Sequence, residues 1–506
     1  MVNSADLRSD RDAPLFWLLI LQLVWAPVPL ASNRTWAVGI LLLLTCALWL
    51  GAVWIFRGQW SAVWARCLQF KLPIGILLGI LLVITFQTIP LPHSILTTLS
   101  PTVGETWHRV APLGSATLSL NAAHTQLQAA LCLIYASAFL FTVLLVRSAR
   151  RMNTLAYALI GMALFQALLG GYLFSVEAQY ELFTSEVLHD RMRGTFVYHN
   201  NTAAMLAMCL SVGIGLFLVQ LEKSSPATSK RWLVHGLDFL LSRKMLLRLA
   251  LVILVIALVM TRSRMGNAGF FIAMLLSLAL YAVYSQKTRK VVLVLLASLI
   301  VIDIWILGQW VGLDKVVARL EATQISKAEK KELAAQAQQQ ASDELNFVKP
   351  RLEESVEERA LPIAYARPAI ADYFWFGSGA GTFYSIFPQY RPAESRGYYD
   401  HAHNDYVEIL TDYGVIGASL FALLVLASFW RIIRTIQTRS HPVAKGIALG
   451  ALMAMLEIVL HSTVDFNLQI PANALLITVI IALGWCASQV DKAPPSLTRV
   501  PPPAAD

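Results

Sequence analysis

Apolar residues fill this chain in runs of about membrane length, one after another from residue 14 to residue 488, with short polar links between them. A helix needs roughly 20 predominantly apolar residues to cross a bilayer. The runs predict about twelve spans, near 14–30, 35–56, 70–90, 125–146, 153–174, 202–221, 246–261, 266–284, 291–308, 406–430, 446–464 and 470–488. One long interruption, 309–405, separates the ninth span from the tenth. The expected fold is an all-α polytopic membrane protein. Spans one to nine occupy 1–308, a large extramembrane segment 309–405, spans ten to twelve 406–488, and a tail 489–506.

Composition agrees. Of 506 residues 57% are hydrophobic and only 14% charged, where a soluble domain carries about a quarter charged residues. The first run begins near Pro14, and only "ASNRT" separates it from the second, so it reads as a span rather than a cleaved leader. Four of the five cysteines lie in apolar runs, and Cys67 lies in a short basic loop. With no CxxC and no Cys/His cluster, neither a disulfide framework nor a metal site is expected.

The net charge of +9 changes meaning once it is placed along the chain. The links after the even-numbered spans carry Arg57 and Arg66; Arg147, Arg150 and Arg151; Lys223, Lys230, Arg231, Arg243 and Lys244; Lys287, Arg289 and Lys290; and Arg431, Arg434, Arg439 and Lys445. Basic short loops stay cytoplasmic. The even links and both termini are therefore expected on the cytoplasmic side, and residues 91–124, 175–201, 261–266, 309–405 and 465–469 on the outer face. The charge is a topology signal, and no nucleic-acid partner is expected.

The unusual polar residues fall in that outer-face set. "HDRMRGTFVYHNNTAAML" (189–206) puts Arg191, Arg193, His199, Asn200 and Asn201 just before a span, where arginines also snorkel without any further role. "TRSRMG" (261–266) holds Arg262 and Arg264 in a hairpin of a few residues. Charge at membrane depth is expensive and usually functional, and the planar guanidinium fork suits a phosphate.

"HAHNDYVEILTDYGVIG" (401–417) opens a hydrophobic helix. A start near Asp405 gives Asp405 and Glu408 capping-box spacing. Helical counting then sets His403, Val407, Leu410 and Gly414 on one face running to Gly417, with small residues that admit a neighbouring helix. His403 at the helix mouth can take a proton from a hydroxyl near neutral pH, and the helix start favours an anion nearby. His401, on the looser approach, is expected to tolerate substitution better.

"HSTVDFNLQIP" (461–471) adds His461, Asp465 and Asn467 in structural or acceptor-shaping roles. Asp303 and Glu457 are buried acids whose partners the sequence does not name. In the long segment, 326–345 is rich in Ala, Gln, Lys and Glu and reads as a solvated helix. Residues 358–392 are aromatic, and with Arg367 and Arg391 they suit a lid over a sugar-lined cleft or plain packing. Gly377, Gly379 and Gly381 do not make a nucleotide loop, because no strand precedes them and no P-loop lysine follows.

At these residues the chain resembles the O-antigen ligase and O-antigen polymerase superfamily, membrane glycosyltransferases of the bacterial envelope. The family signature is His, then Asn, Ser or Gln, nine residues, and Gly-x-x-Gly; His403-Asn404 followed by Gly414-Val-Ile-Gly417 matches it. The family's arginine before a span matches Arg193 in "RGTFVYHNN". Its Ser-Arg-Gly hairpin matches Ser263-Arg264, with Met265 intervening before Gly266, so Arg262 and Arg264 are both candidate equivalents. "GSGAGTF" and "HSTVDFNLQIPANA" are also similar, and the likeness is strongest over about 190–470.

The resemblance implies an inverting, metal-independent transferase with no cofactor. Its donor would be an oligosaccharide on undecaprenyl diphosphate, met at the periplasmic face of the bacterial inner membrane. Arg193, Arg264, Arg262 and Arg191 would hold the diphosphate, and His403 would act as base. His199, Asn200, Asn404, Arg367, Arg391, His461 and Asp465 are secondary candidates. A polymerase uses a second lipid-linked repeat as acceptor, a ligase lipid A–core; the ending "HSTVDFNLQIPANA" and the long outer segment favour the polymerase. Membrane lipids and a chain-length regulator are further expected partners. The rival from another class is a secondary transporter, whose site would lie at the midplane of repeated halves; here the polar groups gather at one face and no halves correspond.

Overall fold

The computed structural model describes residues 11–110, 114–176, 191–222, 243–284, 356–392 and 399–490. Its helices are α1 (Ala13–Trp25), α2 (Thr35–Ile55), α3 (Trp60–Leu68), α4 (Lys71–Gln87), α5 (His93–Leu99), α6 (Pro101–Val110), α7 (Ala122–Leu145), α8 (Ala149–Ser175), α9 (His199–Glu222), α10 (Arg243–Met260), α11 (Arg264–Tyr284), α12 (Val356–Asp372), α13 (Phe383–Ile386), α14 (Asp405–Thr438), α15 (Pro442–His461) and α16 (Pro471–Ala487). The one sheet among the described residues is a pair of two-residue strands, Leu91–Pro92 against Ser115–Ala116. The protein is an all-α polytopic membrane protein.

Each apolar run in the described residues became a helix. The expected ninth span (291–308), with Asp303 and the stretch 326–345, lies outside them. Among the described residues seven helices are long and apolar enough to cross a membrane, the bent pair α3–α4 makes up to eight, and α1, α10 and α16 are shorter apolar helices. Local chemistry sets several starts. Ser148 accepts from Arg151 N and caps α8, Asn121 accepts from His124 N and caps α7, and prolines in the first turn open α15 and α16.

The link that was expected to be a basic loop around Cys67 is helix α3, lying at 90° to α4. Trp60, Trp64 and Leu68 are exposed while Arg66 is buried. Arg66 Nε donates to Val143 O (3.0 Å) and Nη1 to Gln69 Oε1 (2.9 Å). Apolar residues at helical spacing in a short, partly polar segment favour a helix in the plane of the interface over a loop.

The chain forms two compact units, Met1–Ser277 with Arg359–Asp506, and Leu278–Glu358. In the first, α15 runs along α9 at backbone contact. A Cβ on Gly215 would sit 2.1 Å from Gly446 O, and one on Gly450 would sit 2.8 Å from Val212 Cα. Gly446 and Gly450, four residues apart, are the small-residue spacing that lets membrane helices approach closely. This contact sets the start of α9 beside the end of α15.

Helix α14 is broken at Gly414, whose φ of 61° and ψ of −173° are not helical. The N–H groups of Val415 and Ile416 donate to Phe374 O (2.7 Å) and Trp375 O (3.3 Å). The carbonyls freed below the break accept in turn: Ser378 N reaches Thr411 O (2.9 Å), and Gly379 N (3.2 Å) and Gln87 Nε2 (2.8 Å) reach Asp412 O. All these backbone groups are thus satisfied. A Cβ on Gly414 would lie 2.5 Å from Trp375 O, and one on Gly377 2.2 Å from Asp412 O. The glycines of "GSGAG" and of the Gly-x-x-Gly pair therefore splice a loop into a helix. The expectation that Gly414 admits a neighbouring helix is corrected: what it admits is the 374–377 backbone.

Candidate active site

The start of α14 differs from its expected form. Asn404, not Asp405, caps the helix: its Oδ1 accepts from Tyr406 N (2.9 Å) and Val407 N (3.0 Å), while Nδ2 donates to Thr463 O (2.8 Å). With the cap one residue earlier, Glu408 falls beyond the capping-box position, and both acids turn elsewhere. Buried Asp405 grips the turn after α15, accepting from Ser462 Oγ (2.6 Å) and Leu468 N (3.1 Å) through Oδ2. Its own N–H donates to Ser462 O and Asp465 O. Glu408 accepts from His401 Nδ1 (2.7 Å) and Ala402 N (3.2 Å).

His403 is buried and has a φ of 50°, so it precedes the helix rather than continuing it, and helical counting back from Gly414 does not reach it. Its ring meets Phe466 edge-on (5.0 Å, 77°), and His401 stacks on the same ring (4.3 Å, 17°). Burial alone pushes the His401 imidazole down, but the carboxylate of Glu408, with Asp400 and Asp405 near, overrides it and raises the group to about 9. His401 is not on a loose approach: it is the ion-pair partner of a buried acid.

The arginine segments are tied to one another, and Tyr198 of the first packs against Phe466. Arg191 Nη1 donates to His199 Nε2 (2.8 Å), which must therefore accept there. Arg193 Nη1 donates to Val197 O (3.2 Å), and Thr202 Oγ1 donates to Arg193 O (2.6 Å). Thr195 Oγ1 pins the same loop to Pro27 O (2.6 Å). Met192 N reaches Met260 O (3.3 Å), which ties this loop to the α10–α11 hairpin.

In that hairpin Arg262 has a φ of 54°. Buried Ser263 caps α11 by accepting from Gly266 N (3.2 Å), and Arg264, exposed, is the first helical residue. A helix start with an outward guanidinium favours an anion. A Cβ on Gly266 would lie 2.7 Å from Ala203 Cβ and 3.2 Å from His461 Cε1, so the glycine of the Ser-Arg-Met-Gly turn is needed for close approach.

His461 is fully buried, with Nδ1 3.0 Å from Glu457 Oε1 and Nε2 3.9 Å from Asp465 Oδ2. It is the partner of Glu457 that the sequence did not name. Asn201 Nδ2 donates to Asn467 Oδ1 (2.9 Å), Asn473 Nδ2 to Asn201 O (3.0 Å), and Tyr198 packs edge-on against Phe466 (5.4 Å).

One chain of contacts thus joins the loop 191–201, the hairpin 260–266, the turn 461–468 and the segment 401–408 at one end of the bundle. Buried Asn200 stands on the first of these. Arg367, exposed on α12, and Arg391, just past the turn Phe387–Gln389, belong to the aromatic segment instead. There Phe383 and Phe387 stack at 4.9 Å in a core with Ala366 and Ala402. Sequence reasoning missed Phe466, whose signal is an aromatic between Asp465 and Asn467 in an otherwise polar stretch. It also missed the pairing of Glu408 with His401, which their seven-residue separation does not reveal.

Residues 249–422 match the family model described as O-antigen ligase. The match takes in Arg262, Arg264 and the whole His403–Gly417 signature, and agrees with the superfamily that those motifs resemble. Comparison with curated proteins gives no match.

Proposed function

We propose that this chain, a membrane enzyme of the O-antigen ligase and polymerase family, transfers a whole oligosaccharide from undecaprenyl diphosphate to an acceptor sugar at the periplasmic face of the inner membrane. The observation that carries the reading is the convergence of two arginine-bearing segments and His403 on one end of the bundle, two of the three inside the family match.

In this reading Arg264, with Arg262, Arg193 and Arg191, holds the donor diphosphate and offsets the negative charge that develops as the sugar–phosphate bond breaks. His403 accepts the proton of the acceptor hydroxyl. That oxygen attacks the anomeric carbon from the face opposite the diphosphate, so the configuration inverts. The arginines do the charge work without a metal. The polymerase reading, with a second lipid-linked repeat as acceptor, is favoured over lipid A–core ligation by the ending "HSTVDFNLQIPANA" and the long segment 309–405.

The test is release of undecaprenyl diphosphate when purified protein meets undecaprenyl-diphosphate-linked oligosaccharide. A ladder of products supports the polymerase, single transfer to lipid A–core the ligase. Transport of the intact donor without release contradicts both. Orientation is tested separately. A cysteine replacing Lys330 should react with an impermeant reagent from the periplasm and one replacing Arg439 should not; the reverse pattern would overturn the periplasmic placement.

A further inference from the structure

We propose that Glu408 is a positioning residue for His403: by holding His401 and the Ala402 amide together, it fixes the short segment that presents His403 edge-on to Phe466. This rests on the reading of His403 as base.

A left-handed φ at a residue other than glycine is strained and persists only where the surroundings over-determine it. His403 is such a residue, and its neighbours on both sides are clamped. Before it, the two carboxylate oxygens of Glu408 accept from His401 Nδ1 at 2.7 Å and Ala402 N at 3.2 Å. After it, Asn404 caps α14 and ties to Thr463 O. Beside it, Phe466 is stacked on His401, and its own N–H donates to Asp465 Oδ1 (2.9 Å). Asp405 holds the turn on either side of Phe466, at Ser462 and Leu468. The segment from 401 to 403 is thus held from both ends, and Glu408 holds the end that precedes His403.

Glu408 is only 2% exposed, and His401 supplies it with a charged partner. The charged groups around His401 are Asp400 on its own segment and Asp405, Glu408 and Asp412 on α14. From the turn after α15, Asp465 stands beside Asp405, and His403 shares the Phe466 ring. The folded value of about 9 lies above the ordinary 6.5, so the pair is intact through the neutral range and is lost as pH rises through about 9.

The experiment follows undecaprenyl diphosphate release from undecaprenyl-diphosphate-linked oligosaccharide, against donor concentration and pH, for the full-length wild type, Glu408→Ala, Glu408→Gln and His403→Ala. Glu408→Ala should lower kcat about 10²-fold, the effect of a misplacement near 1 Å, with KM for the donor within about twofold. Glu408→Gln should recover part of that rate. The wild-type rate should fall above pH 9, and in Glu408→Gln this alkaline limb should move to lower pH as His401 loses its carboxylate. A Glu408→Gln enzyme with wild-type kcat and an unmoved alkaline limb overturns the proposal. If Glu408→Ala fails to accumulate, the Glu408→Gln pH profile decides alone. An active His403→Ala enzyme removes the base, and the clamp with it. An inactive one beside wild-type-like Glu408 variants removes the clamp only.

Discussion

The two sides of the site are built in opposite ways. On the arginine side, α9 and α15 are the inside of the bundle, with 89% and 78% of their apolar stretches buried, and their backbones touch through glycines. On the histidine side, α14 has only 17% of its apolar stretch buried and is held by hydrogen bonds into its break at Gly414 and at its cap. The difference suits the roles proposed for the two sides. A guanidinium that binds a diphosphate needs a firm base and freedom of reach, and Arg264 is exposed on a tightly packed turn. A group that takes a proton needs a fixed orientation, which apolar contact does not give. His403 is accordingly set in a polar frame of Glu408, Asn404 and Asp405, with Phe466 as its flat wall.

The comparison breaks most visibly on the arginine side. Arg264→Ala should abolish transfer while leaving the amount of folded protein unchanged, because its side chain is exposed and its neighbours Ser263 and Gly266 do the packing. Arg264→Lys should rescue poorly, since an ammonium lacks the two-pronged fork. Arg193→Ala should behave alike. Normal turnover in both alanine variants would mean that the diphosphate is held elsewhere.

A smaller effect, on stability first, is expected from the frame of α14. Gly414→Ala places a Cβ 2.5 Å from backbone atoms at a φ and ψ that glycine alone adopts readily. The strain is of order 1–3 kcal/mol before the clash is counted. Purified variant should melt at a lower temperature and lose activity in step. An unchanged melting temperature would show that the break in α14 is not rigidly held. The smallest effect belongs to Gly39→Ala on α2, where a Cβ meets nothing within 4 Å; there, helix propensity predicts equal or slightly higher stability.

The helices were legible because apolar runs of membrane length leave the backbone no other way to satisfy its hydrogen bonds in lipid. What escaped was where polar atoms find partners across the sequence. Asp405 and Glu408 stood at capping-box spacing, yet Asn404 took the cap because its side chain also reaches Thr463 O, and Asp405 was drawn to Ser462 and Leu468. Gly414 signalled close approach correctly but not of what, since the partner is a loop some 40 residues earlier. Gln87, whose amide meets Phe376 O, Asp412 O and Ala380 N, carries no sequence signal at all. The arginines and His403 stood out as candidates for the opposite reason: a charge or an imidazole beside an apolar run needs an explanation that packing does not supply.

Whether the two sides divide binding and proton transfer between them is decided by one measurement. Donor affinity and turnover are determined separately for His403→Ala, with undecaprenyl-diphosphate-linked oligosaccharide as the probe. If the arginines bind and His403 takes the proton, turnover falls by about 10²–10⁴-fold while donor affinity stays near that of the wild type. Loss of donor binding in proportion to the loss of rate would make His403 a binding residue, and would contradict the account.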